Sequence, residues 1–364
     1  MIVENPEVTL EVEGHEIPKE ALPTAQACYD TQSCVWGDDG RQYWIGLGII
    51  NAWEADVSNW GILWSKGKVI QPPGSIYMIA DFPQGITGWQ VFPKNSIKRK
   101  RSEHEVAIDL GDFHILCKDG KTWHFIVEDR EKGIKADLVH TGTGFPTWYG
   151  KEKAQVYTPH TVSYGYFWSG TVEGTLTIEG RNVGIKGAGV RENYYGVDTC
   201  PVEVGGWHDW IWFHFAEMSG SFNEMKLTKH KDMSLYLIDE KQYFMTGSFN
   251  IEHYYWAYHP SLGAFIPTHY KMTIETEAGV LNMTANVNMA HVWAISGELP
   301  DSPTTTLSFD KVEGIFTYKD GRKKTLTNGL GGSLIRQWKP YPNILSPEIA
   351  GGGVLKATDG FHAM

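Results

Sequence analysis

The pattern that most restricts this chain is a hydrophobic period of two, with almost nothing of period 3.6. From Thr171 to Ile178, Val172, Leu176 and Ile178 alternate with Thr171, Glu173, Thr175 and Thr177, as a half-buried strand requires. Runs of similar length recur in the first half at Arg41 to Trp53, Ser75 to Ala80, Glu105 to Leu110, Phe113 to Cys117 and Thr122 to Val127. In the second half they recur at Leu235 to Ile238, Tyr243 to Phe249, His253 to Tyr258, Tyr270 to Thr276, Val280 to Ile295, Val312 to Tyr318 and Lys323 to Leu326. Lys118-Asp119-Gly120-Lys121 and Lys319-Asp320-Gly321-Arg322 sit between such runs and read as hairpin turns, because Gly supplies the positive φ a tight turn needs. Short strands with Asp-Gly turns predict an all-β protein of antiparallel barrels or sandwiches with few short helices. Lys98-Arg99-Lys100-Arg101 reads as a solvated loop, and residues 1–30 as a mixed segment wrapping the outside.

The 364 residues suffice for two domains, and the repeated strand, Lys-Asp-Gly, strand pattern suggests similar ones. We place them at residues 1–200 and 201–340, with 341–364 as a C-terminal extension. A net charge of −11 argues against nucleic acid or an anionic membrane as partner. Fifteen Trp, 17 Tyr and 15 Phe are many, and aromatic side chains fill cores or line apolar pockets. Cys28, Cys34, Cys117 and Cys200 show no CxxC spacing, so no zinc or thioredoxin-like motif is expected, and a Cys28–Cys34 disulfide stays open. The first residues show neither a basic nor an apolar signal region, and no run of 18 apolar residues occurs, so the expectation is a soluble cytoplasmic protein. Asn282-Met283-Thr284 fits a glycosylation sequon, a pattern common by chance.

Candidate chemistry concentrates between Val183 and Phe215. Val183 to Gly189 alternates glycine with other residues, so its backbone can run close to another surface. Arg191, Glu192, Asn193, Tyr194 and Tyr195 then place charge, amide and phenol between two glycines. Glu192 is the candidate acid: desolvation disfavours a charged carboxylate, raises its pKa and keeps a proton available. The alternative is a structural ion pair, for which Arg191 is poorly placed because neighbours in a strand point oppositely. Trp207 to Phe215 is a strand aromatic on both faces, with His208, Trp210, Trp212 and His214 on one and Trp207, Asp209, Ile211, Phe213 and Phe215 on the other. The first set is expected to line a cavity and the second to pack into protein. His208 and His214 stand about 20 Å apart on an extended strand, too far to share a metal. His291 follows Leu281, Met283, Ala285, Val287 and Met289 by alternation, so it is either a second catalytic candidate or a hydrogen-bonded core residue. His253, in an aromatic run, either binds substrate or belongs to a core strand. No HExxH, P-loop or GxSxG motif stands out.

The order of a Gly-rich strand, the knot GVRENYYG, the strand GWHDWIWFHF and the run VEGIFTYKDGRKKTLTNGLGG resembles the two-domain lipocalin-like proteins that include carotenoid 1,2-hydratase (hydroxyneurosporene synthase) and the fungal decalin-forming Diels–Alderases. The resemblance spans about residues 40–335. It implies two lipocalin-like β-barrel domains, no metal, no cofactor and a hydrophobic substrate. The hydratases carry an Asp-Arg/His-x-Trp-Gly pattern in the knot; here Glu192 stands at the Asp, Asn193 at the basic position, Tyr195 at the Trp, and Gly196 matches the Gly. The carboxylate is kept and its basic partner is not, which puts water-adding acid chemistry in doubt. Three functions remain in view. One is cyclisation of a polyketide or terpenoid by a Diels–Alder or hetero-Diels–Alder reaction, which needs positioning and a hydrogen-bond donor more than a nucleophile. Another is hydration or dehydration with Glu192 as general acid. The third is non-catalytic carriage of hydrophobic molecules. Tyr195, Asn193, His208, Trp210, Trp212, His214 and His253 would contact substrate in the first two.

Overall fold

In the computed structural model the described residues are Leu10 and residues 25–50, 74–81, 84–92, 96–149, 154–158, 161–197, 207–225, 230–245, 247–259, 264–293 and 304–337. The chain divides into two compact units, Glu4–Cys200 and Pro201–Met364. Among the described residues, helical Leu10 apart, every element is a strand. The first unit holds β1 (Ala25–Gly37), β2 (Gln42–Ile50), β3 (Gly74–Asp81), β4 (Gln84–Val91), β5 (Lys98–Ser102), β6 (Glu105–Leu110), β7 (Phe113–Cys117), β8 (Thr122–Asp129), β9 (Ile134–Gly142), β10 (Thr147–Trp148), β11 (Ala154–Thr158), β12 (Thr161–Ile178) and β13 (Arg181–Val197). The second holds β14 (Trp207–His214), β15 (Met218–Met225), β16 (His230–Leu237), β17 (Gln242–Phe244), β18 (Ser248–His259), β19 (Ala264–Glu275), β20 (Gly279–Trp293), β21 (Thr304–Tyr318) and β22 (Lys323–Gln337).

Both sheets follow one plan. In the second, the order β17-β16-β15-β14-β22-β21-β20-β19-β18 is an up-and-down meander whose first strand pairs with its last. The ring is broken once, between β17 and β18. In the first, β4-β3-β2-β1-β13-β12-β9-β8-β7-β6-β5 has the same cyclic order and breaks once, between β4 and β5. Curling a sheet so that one face encloses a core is how all-β chains bury apolar area. The inner face of the first carries Ile45, Leu47, Phe125, Leu138, Val172 and Leu176 among others, and that of the second Ile211, Phe213, Phe222, Ile274 and Leu281. At the break in the second ring, Lys231 on β16 pairs with Glu224 at 2.9 Å and donates to the Phe249 carbonyl of β18 at 3.2 Å, so a side chain bridges where the ladder stops.

Alternation and turn chemistry account for most of these strands. Thr171, Glu173 and Thr175 are exposed while Val172, Leu176 and Ile178 join the core. Asp119 accepts the amide protons of Lys121 and Thr122 at 2.8 and 2.6 Å, and Gly120 turns at φ 76°. Asp320 accepts that of Arg322 at 3.0 Å, with Gly321 at φ 87°. The two turns occupy different rungs, β7–β8 and β21–β22, so the repeat lies in the sheet order and not in these motifs. The glycine run does bring backbones together: a Cβ on Gly187 would stand 2.3 Å from the Cys34 carbonyl oxygen of β1.

Three sequence expectations are corrected. Lys98–Ser102 is not a loop but the edge strand β5, its exposed Lys98, Arg99 and Lys100 on the row of unpaired backbone groups that a sheet edge presents. Ala25 to Asp30 are not an outer wrap; they open β1, which lies in the middle of its sheet between β2 and β13. The Tyr243 to Phe249 run is interrupted after Phe244, where the ring breaks. Cys28 and Cys34 stand six residues apart along β1, about 20 Å in an extended strand, far beyond the roughly 7 Å Cα limit of a disulfide. Buried Cys34 and Cys117 are thiols. The 341–364 extension and the region before Leu10 lie outside the described residues.

Candidate functional site

β13 runs between β1 and β12, and cross-strand partners share a face. Arg191 opposes Thr31 and Trp168, and Asn193 opposes Tyr29 and Tyr166. Tyr29 belongs to the core cluster, so this set faces the interior. Glu192 opposes Asp30 and Phe167 on the other side. The knot therefore presents two chemistries, one per face.

Inside, the Arg191 side chain is 1% exposed. Its guanidinium lies 3.6 Å from the centroid of Trp123 on β8, with the rings of Tyr166 and Tyr29 at 5.3 and 5.9 Å, and it donates to the Tyr166 hydroxyl. Aromatic faces carry partial negative charge, so they replace part of the hydration a buried cation loses. His140 on β9 is also buried, its Nδ1 3.4 Å from the Thr31 hydroxyl. A Cβ at Gly170 would stand 2.1 Å from the Thr141 carbonyl oxygen and 2.8 Å from His140 Nε2, so glycine there lets β12 run close to β9 and leaves room for the imidazole. Trp148 meets Tyr166 edge-on at 5.0 Å. Strands β1, β8, β9, β12 and β13 thus bring a guanidinium, an imidazole and hydroxyls together among indoles and phenols.

On the outer face Glu192 is half-buried, and its Oε1 accepts a hydrogen bond from the Tyr149 hydroxyl. Tyr149 is fixed by its ring, edge-on to Phe167 at 5.5 Å, and by its amide, which donates to the Gly165 carbonyl at 3.0 Å. The result is a carboxyl and a phenol in contact beside a buried aromatic pair. Such a pair can donate to a carbonyl oxygen, or give and take a proton.

β14 also has two faces. Ile211 and Phe213 belong to the core of the second unit. Trp210 and Trp212 occupy the opposite face, where both are buried. His214 shares that face, and burial pushes its imidazole down to about 4, so it is neutral at physiological pH. Asp209, on the core face, is 0% exposed; both its oxygens face His253 Nε2 of β18, at 3.2 and 3.1 Å. β14 and β18 are five positions apart in the sheet, so this contact spans the interior of a curled sheet.

Of the residues singled out in the sequence, Glu192 and Asn193 lie side by side on opposite faces of β13; Trp210, Trp212 and His214 share one face of β14; and His253 faces Asp209 in the other direction. Tyr195 opposes Ala27 and Tyr164, His208 opposes Met225 and Arg336, and His291 opposes Thr306; their side chains lie outside the described ones. Register shifts at Asn286/Val287 and Val287/Met289 mean that the alternation counted from Leu281 does not carry through to His291. Sequence reasoning missed Arg191, His140, Tyr149 and Asp209 as site residues. Arg191 and Asp209 had a signal: each is a charge on the face that the alternation assigns to the core. Among the described residues no group of three or more His, Cys, Asp or Glu side chains is placed to hold a metal ion, and no helix is long and apolar enough to cross a membrane. An open groove of about 590 Å³ lined by Trp36, Glu173 and Lys186 lies along the other half of β13 and contains none of these groups.

No protein-family model matches the chain, and no curated protein matches it in sequence. Solved structures do match. A candidate AttH protein from Nitrosomonas europaea superposes with a TM-score of 0.59 at 11% identity, covering 88% of this chain and 97% of that one. Kievitone hydratase from Nectria haematococca gives 0.56 at 8% identity, over 91% and 96%. CghA bound to Sch210972 gives 0.58 at 12% identity, over 87% and 89%. The chain has their fold. It is an all-β protein of two lipocalin-like antiparallel units, and the similarity extends over nearly the whole length of each neighbour.

Proposed function

We propose that the protein is a cofactor-independent enzyme that binds a hydrophobic polyketide or terpenoid and promotes its cyclisation in a Diels–Alder or hetero-Diels–Alder sense. The observation that carries this reading is the Glu192–Tyr149 pair, a carboxyl and a phenol joined beside buried aromatic rings. A pericyclic step needs its two ends held in contact, which converts entropy lost on binding into rate. It also gains from a donor to the carbonyl that activates the dienophile. Tyr149 gives its one proton to Glu192 Oε1, so the acid form of Glu192 supplies that donor, and the buried rings of Tyr149 and Phe167 give it an apolar setting. Tyr195, His208, Trp210, Trp212 and His214 belong to the same proposal as groups that contact substrate, and His291 as a second catalytic group; Asn193 points to the other face of β13 and His253 to Asp209, so the two are withdrawn from it. The cytoplasm is the compartment this reading assigns.

A second reading has its own support: the same pair is what a hydratase needs to protonate an alkene, and one structure of this fold is a kievitone hydratase. Glu192→Gln separates the two. Under cyclisation the amide still donates, so the rate on a polyene carrying a conjugated carbonyl stays close to wild type. Under hydration the proton is the catalyst, and the rate falls on the order of 10²–10⁴-fold. Binding without conversion by the wild type would leave carriage as the function and end the enzyme reading.

A further inference from the structure

We propose that the second unit has a ligand site of its own, inside its barrel, where Asp209, His253, Tyr270 and Ser333 receive the hydroxyl-bearing end of an apolar small molecule. The four side chains come from β14, β18, β19 and β22, and all are inward. Asp209 lies on the core face of β14; Ser333 opposes Ile211 of the core; His253 opposes Tyr270, itself a core residue. Asp209 and Ser333 are 0% exposed and Tyr270 1%, while the His253 side chain retains 12%. The imidazole is therefore the member of the cluster that reaches solvent.

Packing does not account for this set. The Tyr270 ring stands edge-on to His253 at 5.0 Å and meets Phe309 at 5.1 Å, contacts that a Phe would make equally well. Its hydroxyl lies near Ser333 and close enough to Asp209 that, after burial, the carboxylate's charge helps raise its pKa well above the usual phenol range. Yet neither the Tyr270 hydroxyl nor that of Ser333 completes a hydrogen bond of regular geometry among the described residues. Buried hydroxyls are ordinarily satisfied, and two that have at most each other, beside a carboxylate–imidazole pair, leave donors and acceptors for the polar atoms of something else.

The donors and acceptors define the ligand. Tyr270 and Ser333 can each donate, and Ser333 and Asp209 can accept. A hydroxyl, which donates once and accepts, matches both sides. A carboxylate ligand would face Asp209. Ile211, Met272 and Phe309 around the cluster favour an apolar body.

The test uses the full-length chain with 2-naphthol as probe and naphthalene as its hydroxyl-free control, each titrated by calorimetry. We expect saturable 2-naphthol binding that weakens about threefold to tenfold in Tyr270→Phe, the loss of one neutral hydrogen bond, with naphthalene affinity unchanged. In the wild type, the His253 imidazole resonances should move when 2-naphthol is added, a readout that needs no variant to fold. Three results would overturn the proposal: no saturable binding of 2-naphthol; equal affinity in wild type and Tyr270→Phe with unmoved His253 resonances; or an affinity that falls in Glu192→Gln and not in Tyr270→Phe, which would place the probe in the first unit.

Discussion

A single buried guanidinium shows how much of this fold is decided residue by residue. Arg191 is held by the faces of Trp123, Tyr166 and Tyr29 and by the Tyr166 hydroxyl. Lysine keeps the charge but lacks the planar surface that stacks on an indole. Arg191→Lys should therefore lower stability by about 2 kcal/mol, the scale of a desolvated cation–π contact, read as a lower urea midpoint with an unchanged slope. His214 gives a pH-dependent case. Its folded-state pKa is about 4 against 6.5 for the free side chain, because burial disfavours the cation. Above pH 6.5 both states are neutral and nothing is lost; between 6.5 and 4 the unfolded chain takes up the proton first, so stability falls as the pH drops through that window. His214→Leu should remove about 1–3 kcal/mol of that decline. Equal slopes for wild type and variant over this window would contradict the assignment.

At the scale of elements, β14 separates packing from position. Ile211 is fully buried in the core, and Ile211→Ala should cost about 2–5 kcal/mol. Trp212 sits on the other face but is equally buried, so Trp212→Ala should cost about 3–5 kcal/mol as well and cannot report on substrate contact alone. Trp212→Phe is the variant for turnover. At β5, replacing Lys98 and Lys100 with threonine should make the chain self-associate, seen as growth in light scattering, because edge charge discourages strand pairing. Strands were legible wherever apolar residues alternate beside a glycine turn, as in β7 and β8 on either side of Asp119-Gly120 and in β12 before Glu179-Gly180. β1 was not, because Thr31, Gln32 and Ser33 place polar side chains in the buried middle of a central strand. His291 was not either, since a register shift carries no mark in the residue pattern. Glu192 stood out by its neighbours in sequence. Its partner Tyr149 lies 43 residues away and Asp209 and His253 lie 44 apart, so the first pair exists only once the strands align and the second only once the sheet curls.

The described residues form two rings of strands, each with its own core. Ile211→Ala should accordingly reduce amide protection in β14 to β22 and leave that in β1 to β13 near wild type, as hydrogen exchange would show. The proposed cyclisation asks the protein to shape an apolar chain more than to attack it. The most direct test of that claim is the mass of the product formed from a linear polyene with a conjugated carbonyl. The account predicts a cyclised product of unchanged mass, formed by Glu192→Gln at close to the wild-type rate. A product heavier by one water, lost in Glu192→Gln and fading as pH rises, would contradict it.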